Sequence, residues 1–249
     1  MSRQNIYDND LFFESYKKLR AKVNANELVE IPAMFKMLPS LNGLSILDLG
    51  CGYGEHCIKY IEMGANEVVG IDISEKMLQI AKNECSTSKI IYKNLAIEDL
   101  HTLNGCYDLV VSSLALHYIM DFRKAAEEVY RLLNNGGFFV FSQEHPFSTC
   151  FKYGNRWTRD KDGNKIYANI SNYSIDGKRE SRWFQDGIIK YHRTFESILN
   201  TLIKTGFIVE QIAEPIPSDE IVEQYSEYKD NIHKPDFLLI KAKKQEKNC

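Results

Sequence analysis

The chain is predicted to fold as an α/β protein with a mostly parallel sheet and helices on both faces. Three observations carry that expectation. From Ser45 onward, short β-branched runs alternate with helical stretches, as strands joined by crossover helices require. A glycine-rich loop, Asp48-Leu49-Gly50-Cys51-Gly52-Tyr53-Gly54, follows the first run and opens a helix. The alternation then stops at Pro146 and resumes only after Ile189.

Strands are expected at Ser45–Leu49, Glu67–Ile71, Lys89–Lys93, Tyr107–Ser112, Gly137–Ser142, Phe207–Ile212 and Phe237–Ala242. A helix over about Gly54–Met63 is closed by Gly64, which tolerates the left-handed backbone of a helix end. Ser74 is placed to cap Glu75–Glu84. Ala125, Ala126, Val129, Leu132 and Leu133 fall at helical spacing, and Asn134-Asn135-Gly136-Gly137 stops that helix. Phe195–Lys204 forms another, closed by Gly206. Ahead of Leu44 two helices are expected, Leu11–Val23 and one starting near Asn26 with Pro32 in its first turns. Pro146–Ile189 is rich in Tyr, Trp, Asn, Gly and Arg and lacks long apolar periodicity. Trp157, Trp183 and its tyrosines need a surface to pack on, so the stretch is expected as an inserted strand-and-loop cap. One domain, 1–249, then divides into a helical cover (1–43), a core (44–145), the cap (146–189) and a completion of the sheet (190–249).

Composition removes several function classes. The chain has 249 residues, 44% of them hydrophobic, enough to bury a sizeable core. A net charge of -3 gives no electrostatic footprint for a phosphate backbone, so no nucleic-acid partner is expected. Lys241, Lys243, Lys244 and Lys247 form the one basic concentration and read as a solvated terminus. Cys51, Cys57, Cys85, Cys106, Cys150 and Cys249 are scattered without a Cys-x-x-Cys pair, which fits neither a metal site nor a disulfide framework. The polar amino-terminal stretch leads us to expect no signal peptide, and no apolar run approaches the roughly 18 residues of a membrane span. A reduced, soluble, cytoplasmic protein is expected; its oligomeric state is not legible.

The glycine-rich loop is the strongest functional signal. Glycines let the backbone turn sharply and approach a ligand closely at the positive end of a helix. Gly-x-Gly alone is weak, but here it stands between a strand and a helix, and Asp72 ends the next strand. An acid there can accept both hydroxyls of an adenosine ribose; its other use is to order the turn before Ser74. The spacing Gly50, Gly52, Gly54 is not that of the dinucleotide fingerprint, and Asp48 stands two residues before the first glycine. A carboxylate there repels a pyrophosphate and suits an amino group. That argues against a nicotinamide cofactor without excluding one.

Four segments resemble the class I S-adenosylmethionine-dependent methyltransferases. They are Ile46 to Gly54, Val69-Gly70-Ile71-Asp72-Ile73-Ser74 to Leu78, Tyr107 to Tyr118, and Leu132-Leu133-Asn134-Asn135-Gly136-Gly137. The resemblance is specific over Leu41–Phe141 and looser beyond. It implies a Rossmann-like seven-stranded sheet, ordered 3-2-1-4-5-7-6 with the last strand antiparallel, and S-adenosylmethionine as cofactor. It further implies that Asp48, Gly50, Cys51, Gly52 and Gly54 form the methionyl side of the site and that Asp72 holds the ribose. Ile73 and Met77 would pack near the adenosine, Ile97 or Glu98 would meet the adenine edge, and Leu114 and His117 would border the ligand. Tyr16 and Arg20, four apart on one helical face, would cover it, the arginine meeting its carboxylate.

Methyl transfer from a sulfonium is an in-line displacement, in which the protein mainly positions the acceptor and excludes water. A base is needed only when the acceptor must lose a proton early. Reactive groups should gather at the carboxyl ends of the strands. His117, Glu144 and His145 stand there, and His192 ends the cap; each is a candidate catalytic residue or a structural one. Arg179, Arg182 and Arg193 could bind an anion or merely solvate the cap. Phe141 to Pro146, Tyr191 to Thr194 and Pro235 to Lys241 resemble a bacterial subgroup of methyltransferases of unassigned substrate. The leading expectation is a small-molecule methyltransferase. An RNA or protein methyltransferase, a nicotinamide-dependent oxidoreductase and a non-catalytic S-adenosylmethionine-binding protein remain as alternatives.

Overall fold

The computed structural model describes residues 4–20, 22–183 and 185–245, and only the backbone of residues 182, 183, 185 and 186. Lys247 and Cys249, and the side chains of Arg182 and Trp183, lie outside the described residues.

Two helices precede the sheet. α1 (Asp10–Arg20) stops three residues before the expected end, and α2 (Ile31–Met37) continues a π-helical turn at Asn26–Glu30. Asn24 opens that turn, its side-chain oxygen accepting from the backbone N–H groups of Asn26 and Glu27. The parallel strands are β1 (Ser45–Leu49), β2 (Glu67–Asp72), β3 (Ile90–Asn94), β4 (Tyr107–Ser112) and β5 (Leu133–Glu144). They alternate with α3 (Glu55–Glu62), α4 (Glu75–Glu84) and α5 (Phe122–Leu132). After the cap come α7 (Phe195–Thr205), β10 (Phe207–Ala213), α8 (Asp219–Gln224) and β11 (Phe237–Lys244). The seven-stranded sheet runs β10-β11-β5-β4-β1-β2-β3, and β11 is antiparallel to both neighbours. Counted within the sheet, that is the expected 3-2-1-4-5-7-6.

The core follows from strands buried on both faces, where alternate side chains serve opposite layers. Leu47, Leu49 and Val110 pack with Phe139, Phe141 and Val129 of α5 and with Ile198 and Leu202 of α7. Ile46, Leu109 and Val111 pack the other way, against Met34 of α2 and Cys57 and Tyr60 of α3. The Asn-Asn-Gly-Gly signal ends α5 as expected, yet β5 begins at Leu133 rather than Gly137. Leu133 pairs with Tyr107 and Phe138 with Leu109, so the polar residues form a bulge, with Asn134 donating to Asp108 at 2.7 Å.

The cap is strand and loop, with one short helix. α6 (Pro146–Thr149) leads into a hairpin of β6 (Trp157–Arg159) and β7 (Lys165–Ala168). A second hairpin joins β8 (Gly177–Trp183) to β9 (Gln185–His192), three residues beyond the expected boundary. Trp157 finds its surface under the ammonium groups of Lys165 and Lys234, 4.6 and 5.7 Å from its ring. The helical region between β10 and β11, including a 3₁₀ stretch at Ser226–His233, was not expected from the sequence. Its apolar residues are too few for a periodic signal, and none is buried.

Gly54 shows why the loop needs its last glycine. Its backbone is left-handed (φ +79°), and a Cβ there would lie 2.2 Å from the Tyr92 hydroxyl. At Gly52 (φ +53°) a Cβ would meet nothing within 4 Å. Gly54→Ala is therefore expected to lower the unfolding free energy by at least ~2 kcal/mol, strain and overlap together. Gly52→Ala should lose only the strain, about 1–2 kcal/mol. Urea denaturation of both variants checks the difference.

Candidate cofactor and acceptor site

The site is built on the carbonyl of Ile71 at the end of β2. The N–H groups of Gly50 and Cys51 both donate to it, at 2.8 and 3.0 Å. The next residue, Asp72, accepts from Gly52 N–H at 3.0 Å and from Ser74 N–H at 2.8 Å, one bond on each carboxylate oxygen. Loop and second strand are thereby locked together, with the Asp72 carboxylate at the rim. Packing is equally tight: a Cβ on Gly50 would lie 2.6 Å from the Ala115 methyl, and one on Gly70 would lie 2.9 Å from the Cys51 sulfur. Of the two uses of Asp72 left open by the sequence, ordering the turn before Ser74 is seen directly, and the residue also lines the cavity described next.

A cavity of about 540 Å³ lies over this loop, within the range of small-molecule sites. Gly50, Cys51 and Gly52 line it, as do Asp72, Ile73 and Met77. So do Ile97 and Glu98 beside β3, Leu114 and His117 after β4, and Tyr16 and Arg20 from α1. The 3₁₀ stretch Ile97–Thr102 presents Ile97 and Glu98 to the cavity together, so the sequence alternatives are neighbours rather than rivals.

Two residues expected at the ligand do not line this cavity. Asp48 is buried behind the loop, 2% exposed, with the Cys57 thiol donating to it at 3.5 Å. Burial pushes its carboxyl from 3.8 up to about 7. It faces the core because β1 is buried on both sides, and so it has no route to an amino group in the cavity. Gly54 likewise lies outside the lining and serves the turn and Tyr92.

The amino-terminal segment roofs the cavity. Gln4 donates to the Gly187 carbonyl at 3.1 Å and accepts from Ile189 N–H at 2.8 Å, which ties it to the second hairpin. Asn5 donates to the Ile73 carbonyl at 3.2 Å, and Asp8 accepts from the Ser74 hydroxyl at 2.6 Å. Ile6, Phe12 and Ile188 form a small apolar cluster beneath, with Tyr7, Tyr16 and Tyr118 packed on it. Arg20 lines the cavity while pairing with Glu55 of α3.

At the β4–β5 end, sequence reasoning missed Glu30. Its side chain is fully buried, Oε1 accepts from the hydroxyls of Ser113 (3.0 Å) and Ser142, and Oε2 has no hydrogen-bond partner among the described residues. Burial raises its pKa. Ser142 also accepts from Leu114 N–H at 3.0 Å, which holds Leu114 at φ +52°. An isolated acid just ahead of Ile31-Pro32 was the only available signal, and it reads as an ordinary helix-start residue.

The candidate catalytic residues separate into two kinds. His117 and Glu144 line the cavity; His145 and His192 do not. His145 accepts from Phe147 N–H at Nδ1 and meets Glu214 at 2.7 Å through Nε2, which ties the start of the cap to the end of β10. His192 is wholly buried, with Nδ1 on the Thr149 hydroxyl (2.9 Å) and Nε2 on the Tyr173 carbonyl (2.7 Å). Both nitrogens of each ring are occupied, and neither ring reaches the cavity. The arginines are corrected for the same reason. Arg179 donates to the carbonyls of Cys150, Asn172 and Ile175, and Arg193 to those of Leu116, Ile119 and Met120, so neither presents a free fork to an anion.

Burial lowers the His117 pKa to about 4, so the ring is neutral at pH 7. Glu144 N–H donates to its Nδ1 at 3.4 Å, which places the proton on Nε2. His117 is thus arranged as a donor, stacked on Tyr118 at 4.3 Å. The Glu144 carboxylate pairs with Lys190; burial would raise its pKa, but the ammonium's charge and hydrogen bond help to hold it below the usual value.

Residues 47–141 match the methyltransferase domain family. A solved structure from Listeria monocytogenes is 41% identical, with a TM-score of 0.80 over 87% of this chain and 97% of that one. An S-adenosylmethionine dependent methyltransferase from Mesorhizobium loti is 38% identical, with a TM-score of 0.81 over 86% and 97%. An uncharacterized protein of Haemophilus influenzae is 40% identical over 98% of both chains. The fold and the site define a Rossmann-like transferase. The chain belongs to the class I S-adenosylmethionine-dependent methyltransferases, and S-adenosylmethionine is its cofactor.

The buried Asp48 yields a pH dependence. Its carboxyl titrates near 7 folded and near 3.8 unfolded, so folding takes up a proton. Its contribution is complete below about pH 4 and is lost as pH rises through about 7. A shift of that size corresponds to about 4 kcal/mol. Asp48→Asn is therefore expected to flatten the fall in stability between pH 5 and 8, and to be more stable than the parent at pH 8. Urea melts at the two pH values check this.

Proposed function

We propose that the protein methylates a small molecule held in the half of the cavity bounded by Tyr7, His117, Tyr118, Glu144 and Phe237. The cofactor supplies an activated methyl group on a sulfonium. The observation that carries the reading is one continuous cavity lined both by the Gly50–Gly52 loop and by His117 and Glu144, under the roof formed by Gln4 and the second hairpin. A volume of about 540 Å³ beneath such a roof suits a compact acceptor better than a polymer.

In this reading Gly50, Cys51 and Gly52 hold the methionyl part, and Asp72 accepts the ribose hydroxyls. Ile73 and Met77 pack the adenosine, with Ile97 and Glu98 at its adenine edge. Arg20 spends one arm on Glu55 and has other donors for the methionyl carboxylate. His117 donates from Nε2, Glu144 accepts, and Tyr7 and Tyr118 exclude water. The protein needs no metal and no covalent intermediate for this; orientation supplies the rate.

Calorimetric titration with S-adenosylmethionine, S-adenosylhomocysteine and NAD tests the cofactor assignments residue by residue. Both sulfur ligands are expected to bind and NAD is not. Asp72→Ala should weaken the sulfur ligands by roughly 1.5–3 kcal/mol, as for a lost charge-assisted hydrogen bond. Unchanged affinity would restrict Asp72 to ordering the loop. Release of S-adenosylhomocysteine on incubation with a small-molecule metabolite extract supports the acceptor class; release only with RNA or protein refutes it.

A further inference from the structure

The acceptor half of the cavity has a one-sided charge inventory. Glu144 presents a carboxylate whose pKa is held low, and Glu30 adds a second carboxyl whose Oε2 has no hydrogen-bond partner among the described residues. The aromatic rings of Tyr7, Tyr118 and Phe237 stand beside them. Every described cation in reach is already engaged. Lys190 pairs with Glu144 and lies 5.8 Å from the Tyr118 ring centroid, outside the lining. Arg193 is surrounded by backbone carbonyls, Arg20 pairs with Glu55, and Arg156 donates to the Ser148 carbonyl. His117 is neutral.

We infer that the methyl acceptor is an amine, bound as its ammonium form between Glu144, Glu30 and the tyrosine rings and methylated on nitrogen. This rests on the small-molecule reading above. An anionic acceptor, carboxylate or phosphate, would enter a space that offers it two carboxyl groups, while Arg20 is engaged by Glu55 and, in the reading above, by the cofactor's own carboxylate, so like charges oppose its entry. An ammonium instead gains two oxygen acceptors and aromatic faces. The step balances with the groups present. The ammonium first loses a proton by way of Glu144 to solvent. Its lone pair then forms the new carbon–nitrogen bond as the carbon–sulfur bond breaks. S-adenosylhomocysteine departs and the methylated nitrogen keeps the positive charge.

The test uses the full chain saturated with S-adenosylhomocysteine and three matched sets of small molecules: primary and secondary amines, the corresponding alcohols, and the corresponding carboxylates. Binding is read by thermal shift and calorimetry. Turnover is read as S-adenosylhomocysteine release from S-adenosylmethionine. Binding and turnover are expected with amines alone. Glu144→Gln should weaken amine binding at least tenfold, leave S-adenosylhomocysteine affinity within twofold, and reduce the preference for amines over alcohols, because the ammonium loses the Glu144 carboxylate. Preference for alcohols or carboxylates, an unchanged selectivity in the variant, or no response from any set would overturn the inference. Failure of the parent to bind S-adenosylhomocysteine would instead strike the cofactor assignments, so the two failures are distinct.

Discussion

The carbonyl of Ile71 accepts two N–H groups from the loop after β1, and most of the site depends on that junction. Parallel strands end with unpaired backbone groups at their carboxyl edge, and here the loop satisfies them rather than solvent. Asp72 extends the same clamp by one residue and closes it onto Gly52 and Ser74. Ser74 in turn caps α4 and donates to Asp8, so the amino-terminal segment is anchored through the same few atoms. A ligand that engages Asp72 would therefore touch loop, helix and roof at once. The glycines follow from this geometry. Gly50 has no room for a side chain beside Ala115, whereas Gly52 has room that a ligand can use.

The sequence disclosed the parts of the fold that repeat and hid those that do not. Alternation, the Ser74 cap and the Asn-Asn-Gly-Gly stop are local signals whose physics survives folding, and they place the seven strands. The helices between β10 and β11 escaped notice because they bury none of their residues and carry no apolar period. Site residues divide in the same way. Those on the loop and on strand ends were legible, because chain connectivity dictates where they point. Glu30 was not, because its partners Ser113 and Ser142 are more than eighty residues away. The roles of His145 and His192 stayed open in the sequence for the reverse reason. His145 and His192 stand where chemistry could occur, but only coordinates disclose that their nitrogens are spent on Glu214, Phe147, Thr149 and Tyr173.

Asp48 shows how a motif residue can lie behind the loop it belongs to. The acid two residues before the first glycine marks the family, and the charge argument against a pyrophosphate treats it as facing the ligand. It faces the core instead, accepts from the Cys57 thiol, and is pushed by burial up to about 7. Its influence on the cavity then acts through the loop it supports, and at neutral pH its carboxyl is only about half ionised.

Charge bookkeeping across the reaction ties the two ends of the cavity together. The sulfonium brings one positive charge into a space bounded by Asp72, Glu98, Glu30 and Glu144. Transfer to an amine moves that charge from sulfur to nitrogen, a short distance within the same field. The carboxyl groups then interact with substrate and product to similar extents, and no buried charge is stranded. Transfer to a carboxylate would annihilate two charges and leave two neutral products beside the acidic lining. An acidic lining opposes the second course at the binding step and again as the charges disappear. The same field that retains the cofactor therefore also narrows the chemistry of what can be methylated.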